Sequence, residues 1–126
     1  MKRQVVATDA APKAIGPYSQ AVWAGDLLFC AGQIPLDPAT GNMVAGGITE
    51  QTARVLENIR GLLQSQGLDL GNVVKSTVYL SDMNNFGPMN EVYARYFTKA
   101  PPARSTIQAA RLPKDALVEI EVVAAR

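Results

Sequence analysis

Two segments with helical periodicity lie among several short strand-like runs, and this order limits the possible folds more than any other feature. In residues 49–66 the apolar positions recur at three- and four-residue spacing, which predicts an amphipathic helix. Thr49 is expected to cap its start, and Gly67 suits the left-handed backbone that ends many helices. Residues 84–97 repeat the helical spacing, and Asn84 and Asn85 are expected to cap this second helix.

The remaining apolar runs predict strands. Residues 18–23 and 27–34 form an expected hairpin, because Gly25-Asp26 tolerates the backbone angles of a tight turn. A short strand near the start and strands over residues 73–80, 103–110 and 117–124 give the order β-β-β-α-β-α-β-β. We therefore predict one α+β domain over residues 1–126, with a mixed sheet and two helices on one face.

Alternation along residues 73–80 predicts which side chains share a sheet face. It assigns Val74, Val78 and Leu80 to one face and Lys75, Thr77 and Tyr79 to the other. Two helices can cover only one face of the sheet, and no further segment is left for the second face. An oligomer that buries this second face is the simplest expectation.

The chain has no histidine, which removes the commonest general base and the commonest metal ligand. The single cysteine, Cys30, excludes an intrachain disulfide and leaves no zinc site of the usual types. Twelve basic and eleven acidic residues give a net charge of +1 without any charge run, which argues against nucleic-acid binding. No apolar stretch is long enough to span a membrane, so a cytoplasmic location is expected.

Three charged residues are candidates for chemistry, each with an ordinary structural alternative. Arg104 follows two prolines at the start of a strand, where a rigid guanidinium could hold a carboxylate or form an edge ion pair. Glu119 and Glu121 share one face of the last predicted strand. They could hold a water molecule for general-base catalysis, or they could simply face solvent.

Other candidates are weaker when taken one at a time. Tyr18 could cover a ligand or be a half-buried strand residue, and Gly32 could offer its main-chain N–H or mark a kink. Asn90 lies at the polar edge of the second predicted helix. Cys30 lies in an apolar run without a histidine partner, so it reads as a small buried residue. Residue spacing alone supports only an α+β domain that binds a small anion.

Several motifs together resemble the Rid/YjgF/YER057c/UK114 family over nearly the whole chain. They include residues 14–21 (AIGPYSQA), 31–35 (AGQIP), 102–105 (PARS), 110–113 (ARLP) and 118–121 (VEIE). The resemblance implies a chorismate-mutase-like fold and a homotrimer with a central barrel and sites between subunits. It also implies the hydrolysis of 2-iminobutanoate and 2-iminopropanoate to 2-oxo acids and ammonia, without a cofactor or a metal.

Within this resemblance, Arg104 corresponds to the residue that binds the substrate carboxylate and Glu119 to the residue that activates water. Further ligand-contacting positions correspond to Tyr18, Gly32, Asn90 and Thr106. The chain departs from many deaminating members, which have Cys at the position of Thr106 and Ser at that of Ala31. Two rival functions are an RNA-cleaving inhibitor of translation and a non-enzymatic trimer that binds small ligands in the same clefts.

Overall fold

The computed structural model describes residues 2–126 and contains two α-helices and six β-strands in the predicted order. The elements are β1 (Arg3–Val6), β2 (Ala21–Ala24), β3 (Leu27–Cys30), α1 (Ile48–Gln64), β4 (Val73–Leu80), α2 (Phe86–Tyr96), β5 (Ala103–Gln108) and β6 (Val118–Ala125). The strands form one sheet in the order β1-β2-β3-β6-β4-β5. Only β4 and β5 pair in parallel, so the sheet is mixed as predicted.

The core lies between the sheet and the two helices. α1 buries apolar side chains that include Leu56 and Ile59, while β4 and β6 bury alternate residues such as Val78 and Ile120 beneath them. Period-two burial along β6 leaves Glu119 and Glu121 on the opposite face. The predicted α+β class, with both helices on one face, is therefore confirmed.

The predicted hairpin forms, but both of its strands are shorter than expected. Gly25 adopts the left-handed conformation in the turn, with a φ of 62°. β2 begins only at Ala21. Just before it, the side chain of Gln20 turns inward and hydrogen-bonds the main chain of residues 8–12. β3 ends at Cys30. Beyond it the Ala31 N–H still donates to the Gln20 carbonyl at 2.9 Å, and an isolated bridge joins Gln33 to Ile120.

The helix starts differ from the predicted caps. The N-cap residue of α1 is Gly47 and not Thr49. The Glu50 carboxylate accepts a hydrogen bond from the Gly47 N–H at 2.8 Å. Asn85 occupies the N-cap of α2, as expected, but its side chain makes no capping hydrogen bond. The Asp82 carboxylate accepts from the Asn84 N–H and caps the short turn that precedes α2. The predicted left-handed stop at Gly67 is confirmed, with a φ of 75°.

The prediction for the faces of β4 was wrong at Val74. A register irregularity between Val73 and Lys75 interrupts the alternation, and Val74 is 49% exposed. The helix-facing residues are instead Ser76, Val78 and Leu80, all of which are fully buried. Beyond the irregularity the prediction holds, since Thr77 and Tyr79 pair with Glu121 and Glu119 on the face without helices.

Gly61 allows α1 to pack closely against the N-terminal segment. A Cβ atom at this position would lie 2.3 Å from the main-chain oxygen of Ala10, a contact that requires backbone movement. We expect Gly61→Ala to lower the free energy of unfolding by about 1–3 kcal/mol, as for other overpacked sites. Thermal unfolding measures the effect, and Gly87→Ala in α2 is the matched control because no atom lies within 4 Å of its added Cβ. Equal melting temperatures for both variants would contradict this account.

Candidate functional site

A cleft of about 610 Å³ beside β6 brings together three of the predicted site residues. Glu119 is half-buried in the wall of the cleft, and Gly32 lies next to its carboxylate. Tyr18 is an exposed residue that also lines the cleft. Tyr18 precedes β2 and is 53% exposed, so it is not a half-buried strand residue. Most of the remaining lining is apolar, from Pro12, Ile15, Ala31, Ile34, Leu36 and Pro113.

Gly32 is needed because the Glu119 carboxylate lies against its backbone. A Cβ atom at Gly32 would come within 2.0 Å of Glu119 Oε2 and 2.9 Å of its carboxyl carbon. Any larger residue would displace the carboxylate from this position. Close contact with the carboxylate therefore explains Gly32 more directly than the kink considered from the sequence.

The surroundings of Glu119 make it a stronger base than an exposed glutamate. Burial raises the pKa of the Glu119 carboxyl, and the nearby charge of Glu121 raises this pKa further. Glu121 accepts a hydrogen bond from the Tyr79 hydroxyl, so the two glutamates have different partners. A raised pKa brings Glu119 closer to the range in which a carboxylate works as a general base near neutral pH.

Arg104 lies elsewhere, in a shallow depression of about 390 Å³ that it shares with Asn90. Its guanidinium carbon is 4.7 Å from the ring centre of Tyr93 and 5.6 Å from that of Phe86, both on α2. Within residues 2–126 it belongs to none of the ion pairs. The guanidinium therefore keeps its hydrogen-bond donors available for a ligand carboxylate, and the edge ion pair considered from the sequence is not formed.

Arg104 and Glu119 lie on opposite faces of the sheet. Arg104 is beside Ser76 in the parallel β4–β5 ladder, and Ser76 is fully buried on the helix side. Glu119 pairs with Tyr79, which points away from the helices. The chain thus brings Tyr18, Gly32 and Glu119 together in one place and Arg104 and Asn90 in another.

Thr106 lies two residues beyond Arg104 on the same side of β5. Its hydroxyl oxygen is buried and has no hydrogen-bond partner within the described chain. Such a group normally finds a partner, so a ligand that accepts or donates a hydrogen bond here would be favoured. The expectation that Cys30 is a small buried residue is confirmed, and burial raises the pKa of its thiol to about 12.

Sequence reasoning missed the aromatic surroundings of Arg104. Helical spacing over residues 84–97 predicts an apolar stripe that includes Phe86, Met89, Tyr93 and Phe97, but Phe86 and Tyr93 also contact the guanidinium. The three- and four-residue spacing of such a stripe is the same for a core face and for a binding surface, so the pattern alone contains no distinguishing signal.

Across residues 2–126, no group of three or more His, Cys, Asp or Glu side chains is arranged to hold a metal ion. In the same part of the chain, no helix is long and apolar enough to cross a membrane.

These features define a small α+β protein with a carboxylate cleft and a separate arginine surface, and comparison with known proteins identifies its family. The model of the family described as Endoribonuclease L-PSP matches residues 8–126. A RutC family protein of Pyrococcus horikoshii is 57% identical over 122 residues, which cover 97% of each chain. The 2-iminobutanoate/2-iminopropanoate deaminase of Mus musculus is 48% identical over 97% of this chain and 90% of its own.

The fold comparison agrees with the sequence comparison. The structure of E. coli TdcF with bound serine superimposes with a TM-score of 0.93 at 42% identity, covering 98% of both chains. The chain belongs to the Rid/YjgF family.

Proposed function

We propose that this protein hydrolyses small 2-imino acids to 2-oxo acids and ammonia. The observation that carries the proposal is the Glu119 carboxylate, half-buried against Gly32 with a raised pKa and no metal-binding cluster around it in the described chain. A related mammalian protein is named for this activity, at 48% identity. Ligand binding alone would not require a base of this kind, whereas hydrolysis does.

The chemistry needs only what these residues offer. In this mechanism Arg104 binds the substrate carboxylate. Glu119 accepts a proton from a water molecule while the oxygen of that water attacks the C=N carbon. Glu119 returns this proton to the nitrogen of the resulting carbinolamine. As the C–N bond breaks and ammonia leaves, Glu119 accepts the proton of the carbinolamine hydroxyl, so that the C=O bond of the 2-oxo acid forms, and the proton then passes to solvent. A protonated imine carbon is already electrophilic, so a positioned water and a weak base suffice without histidine or a cofactor.

We further propose that the working unit is a homotrimer with each site between two subunits. Arg104 and Glu119 lie on opposite sheet faces of one chain, so a site that uses both residues would take one of them from a second copy. The face without helices also carries a row of apolar side chains across neighbouring strands, including Val5, Val22, Phe29 and Val123. Val5 is 55% exposed and Phe29 47%, and burying them against other subunits would be favourable.

A coupled assay tests the proposed reaction. A threonine dehydratase generates 2-iminobutanoate in the cuvette, and the rate of 2-oxobutanoate formation is measured with and without this protein. We expect faster release when the protein is present. No acceleration, together with RNA cleavage that disappears in Glu119→Gln, would instead support the nuclease. Binding of 2-oxobutanoate without any acceleration would support a non-enzymatic role.

Arg104 should be essential for binding the substrate. Arg104→Ala removes the only group assigned to the carboxylate, and loss of a charged hydrogen-bonding partner costs about 1.5–3 kcal/mol or more. We expect kcat/KM in the coupled assay to fall by at least about tenfold, with an unchanged oligomeric state. Arg104→Lys should also be impaired, because an ammonium cannot replace the planar fork. Full activity of Arg104→Ala would remove this residue from the site.

The pH dependence of hydrolysis should report the interaction between the two glutamates. Glu119 acts as a base only when it is deprotonated, so activity falls as the pH drops through its raised pKa. Glu121→Gln removes one of the two causes of that raised pKa, and the acid limb of kcat/KM should therefore move to lower pH. Glu57 is a partly exposed glutamate on α1 that pairs with Arg60, and Glu57→Gln should leave the acid limb of kcat/KM at the same pH. A shift to higher pH in Glu121→Gln would contradict this account.

A further inference from the structure

A buried hydrogen bond fixes Tyr93 between the sheet and Arg104. The Tyr93 hydroxyl is 2.6 Å from the Ser76 hydroxyl, and these two residues are 6% and 0% exposed. The Tyr93 ring also packs against the ring of Phe97, with a centroid distance of 4.5 Å and an angle of 34° between the ring planes. The hydroxyl of Tyr93 is therefore held by a hydrogen bond and its ring is held by packing. These contacts with neighbouring protein groups set the orientation of the ring.

Arg104 rests on this fixed ring. Its guanidinium carbon lies 4.7 Å from the centre of the Tyr93 ring and 5.6 Å from that of Phe86. Both distances are within the range of about 6 Å in which a cation is attracted to an aromatic face. Among residues 2–126 no carboxylate forms an ion pair with the guanidinium, so the rings are its main partners. A cation–π contact uses none of the N–H donors of the guanidinium, so these stay available for a ligand.

We infer that Tyr93 is a positioning residue, held by Ser76, that orients the Arg104 guanidinium so that its N–H edge meets the carboxylate of the ligand. This inference rests on the proposed role of Arg104 and adds the group that prepares it for binding. Pre-orientation matters because an arginine side chain has several rotatable bonds, and restricting them before binding lowers the entropic cost of the complex.

The alternative is that Tyr93 is only a core residue, whose loss would disturb the whole depression. The two explanations predict different effects of a Tyr93 substitution on ligands with and without a carboxylate. A residue that orients Arg104 should affect ligands with a carboxylate and spare ligands without one. A residue that only maintains the fold should affect both kinds of ligand equally.

Calorimetric binding of 2-oxobutanoate and of its neutral analogue 2-oxobutanamide tests this difference. We expect Tyr93→Leu to weaken 2-oxobutanoate binding by about tenfold, the upper range for one partly buried cation–π contact, and to leave 2-oxobutanamide unchanged. The double variant Ser76→Ala/Tyr93→Phe keeps the aromatic ring and leaves no buried hydroxyl unpaired. Its loss of affinity for 2-oxobutanoate should therefore be smaller than that of Tyr93→Leu. Tyr96→Leu is the matched control, because Tyr96 makes the same kind of contact with Arg60 at 5.1 Å.

A double-mutant cycle connects the effect to Arg104. Once Arg104→Ala is present, Tyr93→Leu should cause no further loss of 2-oxobutanoate affinity. Equal weakening of both ligands by Tyr93→Leu, or no weakening of either, would overturn the inference. A wild-type protein that binds no 2-oxobutanoate would also overturn it. Selective loss in Tyr93→Leu by a protein that does not accelerate imine hydrolysis would support the inference while refuting the proposed function.

Discussion

Glu119→Gln should lower kcat for the hydrolysis of 2-iminobutanoate by about 10²–10⁴-fold, the usual contribution of a positioned general base. The amide keeps the size and the hydrogen-bonding capacity of the side chain, but it cannot accept a proton from water. The carboxylate of the ligand is assigned to Arg104, so binding of the product 2-oxobutanoate should be nearly unchanged. The coupled dehydratase assay measures the rate, and calorimetry measures the affinity.

Glu121→Gln is the matched control, two residues along the same strand face. Glu121 is hydrogen-bonded to Tyr79, whereas Glu119 lies in the cleft against Gly32. Glu121→Gln should therefore keep most of its activity near neutral pH, with only the acid limb displaced. A large loss in Glu121→Gln with none in Glu119→Gln would reverse the assignment of the base.

Two impaired variants should recover activity when their chains are assembled together. Chains with Arg104→Ala keep Glu119, and chains with Glu119→Gln keep Arg104, so a site between two different chains can be complete. In randomly mixed rings about a quarter of the interfaces would combine an intact arginine with an intact glutamate. We therefore expect about a quarter of the wild-type rate after mixed refolding or co-expression in equal amounts.

The result separates a shared site from a site within one chain. If each chain carried a complete site, every chain in the mixture would lack one essential residue and the rate would stay at the level of the single variants. Each variant kept alone supplies the baseline. Light scattering supplies the oligomeric state, and a mass near the 13.5 kDa of a single chain would refute the trimer directly.

Local sequence patterns were sufficient for most of the fold. Helical spacing and strand alternation depend on neighbouring residues, and the order of all eight elements follows from them. The patterns failed where a distant contact decided the outcome. The side chain of Gln20 turns inward to hydrogen-bond the N-terminal segment just before β2, and the irregularity after Val73 turns Val74 outward. Neither contact changes the spacing of apolar residues along the chain, so the sequence pattern does not reveal it.

The candidate site divides in the same way. The sequence by itself predicted Arg104 and Glu119 as site residues through motif resemblance, and it placed Glu119 and Glu121 on one strand face through their two-residue spacing. Only the tertiary structure decided that Arg104 and Glu119 lie on opposite faces of the sheet, that Gly32 leaves room for a carboxylate, and that Tyr93 lies beneath the guanidinium. The physical reason is that these relations depend on which strands become neighbours and on how α2 packs across them, and such long-range pairings leave no mark in the local sequence.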